Sequence, residues 1–85
     1  MSDISSFIKS MVSSIVDDES SIVIKEEPSN DYTLYEVYVS EKDIGKLIGS
    51  QGRIAKSIRT LAKASGARDG VRVLLNIMNK PIGEE

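Results

Sequence analysis

The segment IGKLIGSQGRIAKSI, residues 44–58, has the apolar spacing of a helix but contains three glycines, Gly45, Gly49 and Gly52. A glycine in a helix interior costs about 0.5–1 kcal/mol relative to alanine, so three in one short segment need a compensating gain. Only two residues separate Gly49 from Gly52, and glycine tolerates the positive φ angles of a sharp reversal. The segment therefore predicts two helices joined by a very tight turn.

Periodic patterns on both sides of this turn predict the other elements. Residues 1–16 carry apolar side chains at helical spacing. Residues 21–40 hold two β-branched and aromatic stretches around the turn residues PSND, which indicates an antiparallel hairpin. Residues 41–66 form the helix–turn–helix, residues 71–78 a third strand, and residues 79–85 a tail. We expect one α+β domain over residues 1–85, a three-stranded sheet with helices on one face.

Side-chain spacing assigns faces within these elements. Tyr35, Val37 and Val39 share one face of the second strand. If the third strand pairs beside the second, the intervening crossover makes the two parallel. Gly66 has the place of a residue that ends a helix. At 100° per residue, one side of the last helix is predicted to face the sheet through Ile54, Ile58, Leu61, Ala62 and Ser65.

The composition argues against several classes of function. The chain has no cysteine and no histidine, which removes disulfides, thiolate zinc sites and the usual general base. No carboxylate pair stands with a nucleophile or a metal-ligand pattern, and the glycine spacing fits neither a P-loop nor a dinucleotide fingerprint. We expect no enzyme activity, no metal and no cofactor. The absence of a signal peptide or an apolar span predicts a soluble, cytoplasmic protein without a membrane partner.

Charge is distributed very unevenly along the chain. Residues 1–43 hold three lysines against ten acidic residues, a net charge of -7. Residues 44–72 hold seven Lys and Arg against one aspartate, a net charge of +6, although the whole chain carries -2. Such asymmetry matters more for binding partners than the average charge does. The basic block coincides with the glycine turn.

The helix that follows the glycine turn has an N-terminus suited to binding an anion. Its first N–H groups have no partner within the helix, and the helix dipole is positive there. Phosphate groups bind readily at such places. Lys46, Arg53 and Lys56 lie nearby in sequence and would add positive charge.

The same residues resemble the signature of the KH family, whose GxxG loop binds a single-stranded nucleic-acid backbone over about four nucleotides. Gly49, Ser50, Gln51 and Gly52 match that loop. The element order resembles the type II arrangement, and the length is similar to that of small bacterial single-KH proteins of the KhpA type. The resemblance implies single-stranded RNA binding of low sequence specificity, as an RNA chaperone or post-transcriptional regulator.

The resemblance also implies roles for individual residues. The loop amides would hold the RNA backbone. Ile44, Gly45 and Ile48 would form an apolar floor for the bases, with the alternative that one of the two isoleucines belongs to the core. Many KH loops carry Lys or Arg at a variable position, whereas Ser50 and Gln51 are neutral. Attraction for phosphate would then depend on the backbone amides and on the neighbouring cations.

A stripe of mostly small residues on the helix after the glycine turn predicts a contact with another helix. Its members follow steps of four, three and four: Arg53, Ser57, Thr60 and Ala64. The KhpA resemblance implies a homodimer, or pairing with a second KH protein of the KhpB type. Three alternatives remain: a turn needed only for packing, a stripe that is an ordinary polar flank, and a dimerising adaptor with little RNA affinity.

Overall fold

The structure, a computed structural model, describes residues 3–79 and shows the predicted order of helices and strands. The helices are α1 (Asp3–Ser13), α2 (Glu41–Ile48) and α3 (Arg53–Arg68), and the strands are β1 (Val23–Pro28), β2 (Thr33–Val39) and β3 (Val73–Asn79). Short 3-10 turns lie at Glu19–Ser21 and Ser50–Gly52. The predicted α+β class is confirmed. The predicted tail lies outside the described residues, except for Asn79, which ends β3.

The three strands form one sheet in the order β1-β2-β3. β1 and β2 are antiparallel, with Ile24 opposite Val37, and the hairpin is closed by the Ser29 N–H, which donates to the Tyr32 carbonyl at 2.8 Å. β3 runs parallel to β2, with Leu75 opposite Tyr35. The hairpin and the parallel third strand are both confirmed, because α2 and α3 provide the long connection that a parallel pair requires.

The hydrophobic core lies between one face of this sheet and the helices. The predicted inward face of β2, Tyr35, Val37 and Val39, is fully buried. The side chains that pack with it come from all three helices and from β3: Ile4, Ile8, Val12, Leu47, Ile58, Ala62, Val73 and Leu75. On the other face of β2, Leu34, Glu36 and Tyr38 are only partly buried. The helices therefore cover one face of the sheet.

α1 ends at Ser13, three residues before the predicted end at Val16. The N–H groups of Ile15 and Val16 both donate to the Val12 carbonyl, at 3.0 and 3.1 Å, and close a final turn. Val16 remains buried in the core. The chain then turns towards α2, where the next two N–H groups bind a carboxylate described below.

The predicted face of α3 is partly wrong. Ile54 and Leu61 are exposed, whereas Ala55, Ile58, Ala62 and Gly66 are buried. The buried face is therefore rotated towards the small residues of the helix. Ile54 and Leu61 instead line a shallow groove together with Met11 of α1 and Ile15 of the turn after it, and Ser65 is half-buried.

Gly66 does not end α3, contrary to the prediction. The helix continues to Arg68, and Gly66 is buried inside it, close to the start of β3. A Cβ atom at this position would lie 2.4 Å from Val73 Cγ2 and 2.7 Å from the Val71 carbonyl oxygen. The glycine therefore permits close approach of the helix to the chain that follows it, and Gly70, with φ of 76°, takes the left-handed conformation after the helix.

Candidate nucleic-acid interface

The turn between α2 and α3 has the tight geometry expected from its glycines. Gly49 and Gly52 have φ angles of 64° and 72°, which confirms the predicted positive values. The Gly49 N–H donates to the Gly45 carbonyl at 2.8 Å and ends α2. A Cβ atom on Gly49 would also lie 3.1 Å from Ile54 Cγ1. Both the backbone and the neighbouring side chain therefore favour glycine at position 49.

Gln51 shares the left-handed conformation, with φ of 57° and ψ of 27°. Positive φ is uncommon for a residue with a side chain, and residues held this way cluster at functional sites. The glycine pattern does not reveal this feature, because it identifies only the positions where a side chain is absent. Gln51 is exposed, so its side chain stands at the tip of the turn.

The N-terminus of α3 lacks the features that usually neutralise a helix start. Its N-cap is Gly52, so no side chain accepts a hydrogen bond from the first N–H groups. No acidic residue lies in the first turn, where Arg53 is exposed to solvent. The positive end of the helix dipole thus lies beside an exposed cation with no acid to compensate it, an arrangement that attracts an anion.

The predicted apolar floor lies on α2 next to this turn. Ile48 is 44% exposed, and Gly45 beside it faces open space. Ile44, one turn before Ile48, is partly buried and packs against the core. The exposed part of the floor is therefore formed by Ile48 and Gly45, while most of Ile44 contributes to the fold.

Lys46 is placed apart from this floor. It lies two residues from both Ile44 and Ile48, which is about 200° around the helix at 100° per residue. Its ammonium binds the carboxylate of Asp17 and lies 3.7 Å from Asp43 Oδ1. The hydrogen bond that Lys46 donates to the Asp17 carboxylate raises the pKa of Lys46, and it outweighs the opposing effect of burial. The structure joins Lys46 to the α1–β1 connection rather than to the other proposed phosphate ligands.

Asp43 is the buried centre of that connection, with a side chain that is 1% exposed. Its carboxylate accepts the N–H groups of Asp17 and Asp18 at 3.2 and 3.1 Å and the Ser40 hydroxyl at 3.0 Å. Burial raises the pKa of Asp43, but these hydrogen bonds and the Lys46 charge outweigh it, and the pKa falls below its ordinary value of 3.8. The acid is therefore a charged structural anchor.

The cations in the first turn of α3 are available to a ligand. Arg53 and Lys56 are exposed, and neither forms an ion pair among residues 3–79. Lys56, Arg59 and Lys63 follow steps of three and four and form one side of the helix, which we call the basic flank. Arg59 is half-buried, and its Nε donates to the Leu75 carbonyl of β3 at 3.1 Å. The basic flank therefore faces the edge of β3, a placement that helical periodicity alone does not give.

The proposed helix-contact stripe lies opposite the buried face of α3. Arg53, Ser57, Thr60 and Ala64 are all exposed, and the Thr60 hydroxyl donates to the Lys56 carbonyl at 2.9 Å. Beside this stripe, on the α1 side, Leu61 is 50% exposed and Phe7 is 38% exposed. The four predicted residues share a surface, and an apolar border runs along it.

Two general features complete the description of residues 3–79. No group of three or more potential metal-ligating side chains lies together in this part of the chain. Within the same residues, none of the helices has the length and apolar character to cross a membrane.

Three helices on one face of a mixed sheet, with a GxxG turn between α2 and α3, define the type II KH class. The chain belongs to the KhpA/KhpB KH-domain family, whose family model matches residues 5–77. It is 39% identical over 74 residues to the RNA-binding protein KhpA of Chlamydia trachomatis, covering 87% of this chain and 95% of that protein. It is 41% identical over 71 residues to the KhpA of Listeria monocytogenes, covering 84% and 93%.

Two solved structures of Era share the fold. Era from Aquifex aeolicus, bound to GDP and aluminium fluoride, superposes with a TM-score of 0.66 at 18% identity, covering 93% of this chain and 31% of Era. Era in complex with MgGDPNP and a segment of 16S ribosomal RNA gives a TM-score of 0.63 at 19% identity, covering 91% and 30%. This chain thus spans about a third of Era, and the likeness concerns the fold alone.

Proposed function

We propose that this protein binds single-stranded RNA with low sequence specificity through the turn at residues 49–52, without catalysis, as a cytoplasmic RNA chaperone or post-transcriptional regulator. The observation that carries the proposal is the N-terminus of α3, which has no side-chain cap and no acid and is bordered by exposed cations. The KhpA relatives, named as RNA-binding proteins, support the same ligand.

Each part of the turn has a role in this proposal. The amides of residues 49–52 and the first N–H groups of α3 hold one or more phosphates. Arg53 and Lys56 supply the attractive field, and Ile48 with Gly45 offers an apolar surface for a base. Aromatic side chains are few in this chain, so base stacking contributes little and binding of the isolated protein is weak.

The test is to replace Ser50 and Gln51 together with aspartate. Two carboxylates at the phosphate site repel the RNA, so binding of a single-stranded RNA in a filter-binding titration should be lost. Turn positions tolerate aspartate, so the circular dichroism spectrum and the melting temperature should stay close to those of the parent.

A matched control adds the same two charges to the hairpin turn, at Ser29 and Asn30, which are exposed. This double aspartate variant should bind RNA nearly as well as the parent, since the hairpin turn lies at the other end of the sheet, near the C-terminus of α3 rather than its N-terminus. A folded Ser50/Gln51 variant that binds RNA as tightly as the control would exclude the turn as the site.

A second candidate function, a dimerising adaptor, is favoured by the exposed stripe on α3 and its apolar border. Small side chains at Ser57 and Ala64 allow a second helix to approach near the short end of the 8–10 Å range of interaxial distances. The partner would be a second copy of this chain or a KhpB-type KH protein. A dimer would also join two weak RNA sites, which raises affinity through effective concentration.

Thr60→Gln tests this contact. The longer side chain should separate the helices and yield a folded monomer in sedimentation, or a protein that no longer engages its partner. Lys63→Gln places the same side chain on the basic flank and should leave the mass unchanged. Equal masses for the parent and Thr60→Gln at matched concentrations, with unchanged partner binding, would show that the stripe is an ordinary polar flank.

A further inference from the structure

Arg59 is anchored in a way that the other cations of α3 are not. It is half-buried, and its Nε donates to the Leu75 carbonyl at 3.1 Å. Lys56 and Lys63, one turn before and one turn after it on the basic flank, are exposed. One surface therefore carries one oriented guanidinium between two exposed ammonium groups.

The Leu75 carbonyl lies on the open edge of the sheet. β3 is an edge strand, because the order is β1-β2-β3. The Arg72 carbonyl accepts the Thr33 N–H at 2.8 Å and so points towards β2. Carbonyls alternate in direction along a strand, so that of Leu75, three residues further on, points away from β2. The Arg59 guanidinium is thus held beside the free edge of β3.

This anchoring leaves most of the donors of Arg59 available. A guanidinium has five N–H groups in one plane, and the bond to Leu75 uses the one on Nε. The four on Nη1 and Nη2 have no partner among residues 3–79. Because the group is planar, fixing Nε restricts the directions of the other donors, so less entropy is lost when a ligand binds them.

The basic flank connects this position to the turn. Lys56 lies three residues beyond Arg53, and Arg59 lies three residues beyond Lys56, so the row covers about 9 Å along the helix axis at 1.5 Å per residue. A strand with phosphates held at the turn and at Lys56 would carry a base past Arg59. Single-stranded RNA exposes the edges of its bases, which are paired or stacked in a duplex.

We propose that Arg59 reads one base of the bound RNA and prefers guanine, an inference that rests on the proposed function. Guanine presents two adjacent acceptors, O6 and N7, which match two parallel N–H groups of a guanidinium. Adenine presents a donor beside N7 and so would oppose one N–H group, which makes the comparison of guanine with adenine the sharpest test. Arg59 thus gives one base preference to a footprint that is otherwise non-specific.

The experiment compares oligouridines that carry a single guanine, adenine or cytosine at the same position. The parent should bind the guanine strand about five- to a hundredfold more tightly than the adenine strand. Replacing the guanine with 7-deazaguanine, which lacks the N7 acceptor, should reduce that preference. Arg59→Met should abolish it, and Arg59→Lys should also lose it although the charge is kept.

Lys63→Met is the matched control on the same flank. It should weaken all the strands by a similar factor and make the salt dependence shallower, as expected for a phosphate contact. The ratio of two affinities measured on one preparation does not depend on the folded fraction, so a loss of stability in Arg59→Met cannot imitate the expected result.

Two outcomes would overturn the inference. One is a parent that binds all the strands with equal affinity, and the other is an Arg59→Met variant that keeps the guanine preference or weakens all strands equally. A parent that binds none of the strands would instead refute the proposed function, on which this inference rests.

Discussion

The N-termini of α2 and α3 differ in the charge of their first turns, although neither has a side-chain cap hydrogen bond. α2 begins after Ser40, whose carbonyl accepts the Asp43 N–H at 2.9 Å, and its first turn contains Glu41 and Asp43. α3 begins after Gly52, with no acid in its first turn and with Arg53 as its first residue. The same fold therefore contains one helix N-terminus whose positive dipole end is compensated by acidic side chains and one whose positive dipole end is not.

The contrast shows what α3 gives up for its ligand. An acidic residue near a helix N-terminus contributes about 0.3–1 kcal/mol, and a side-chain cap contributes about 0.5–2 kcal/mol. α2 has acidic residues in its first turn but no side-chain cap, whereas α3 has neither of these features. A helix start that forgoes both is suited to an external anion, and RNA phosphate is the anion we propose.

The largest effect is expected from Asp43→Asn, which disrupts the compensated start. The amide would present N–H donors to the N–H groups of Asp17 and Asp18, leaving buried groups unsatisfied. The melting temperature should fall more than for any exchange of an exposed acid. Glu41→Gln, in the same turn but exposed, is the control and should change stability little. Equal shifts for the two variants would contradict the role of Asp43.

Arg53→Glu would convert the start of α3 towards that of α2. The acid compensates the helix dipole, so stability should be unchanged or up to about 1 kcal/mol higher. RNA affinity should nevertheless fall by about tenfold or more, because a charge reversal at the phosphate site removes attraction and adds repulsion. Filter binding and thermal melting report the two effects separately.

Lys42→Glu provides the comparison for Arg53→Glu. It makes the same charge change in the first turn of α2 at an exposed position. RNA affinity should fall much less than in Arg53→Glu. Equal losses would mean that net charge, rather than the start of α3, controls binding.

The salt dependence of RNA binding should also distinguish the N-termini of α2 and α3. Binding to about two to four phosphates of a single strand predicts a log–log slope of roughly -1.5 to -3. Lys56→Gln should make this slope shallower by about 0.7, and Lys42→Gln should leave it unchanged. A flat response in the parent would favour the adaptor function.

The smallest effect is expected from lowering the pH. The pKa of Asp43 is lower in the folded protein than its ordinary value of 3.8, so its charge stabilises the fold above that value. The stabilisation is lost as the pH falls through the folded pKa. The difference in stability between the parent and Asp43→Asn should therefore shrink below about pH 4, as measured by denaturant titration. A difference that persists unchanged in acid would show that the charge of Asp43 is unimportant.

Local patterns account for the parts of the fold that could be predicted. Alternation in β2 correctly gives the buried face with Tyr35 and Val37, and the glycine spacing correctly gives the turn. Both features depend on residues adjacent in sequence. A two-residue connection leaves few backbone conformations, so glycines at its ends predict positive φ directly.

Close packing explains why the face of α3 could not be predicted. Their large apolar side chains make Ile54 and Leu61 the expected residues to face the sheet. However, α3 lies so near β3 that Gly66 has no room for a Cβ atom. Ala55 and Ala62 fit this contact, and the larger side chains lie beside it. Hydrophobicity scales increase with side-chain size, whereas a close helix–sheet contact selects small residues.

Distance in sequence explains what was missed at the candidate interface. The N–H groups that bind Asp43 lie 25 and 26 residues before it, and the carbonyl that binds Arg59 lies 16 residues after it. An acid in the first turn of a helix, or an arginine on its polar side, is common for local reasons. Only the packed chain distinguishes these two residues from ordinary surface charges.

The parallel pairing of β2 with β3 sets the order in which the molecule can assemble. Glu27 pairs with Leu34 across a short turn, and such hairpins close within about 1–10 μs. Thr33 pairs with Val73, and both α2 and α3 lie between these two residues in sequence. Pairings so distant in sequence slow folding. During synthesis the hairpin can therefore form before α3 has been made. The edge of β3 that orients Arg59 forms only after β3 itself has been synthesised.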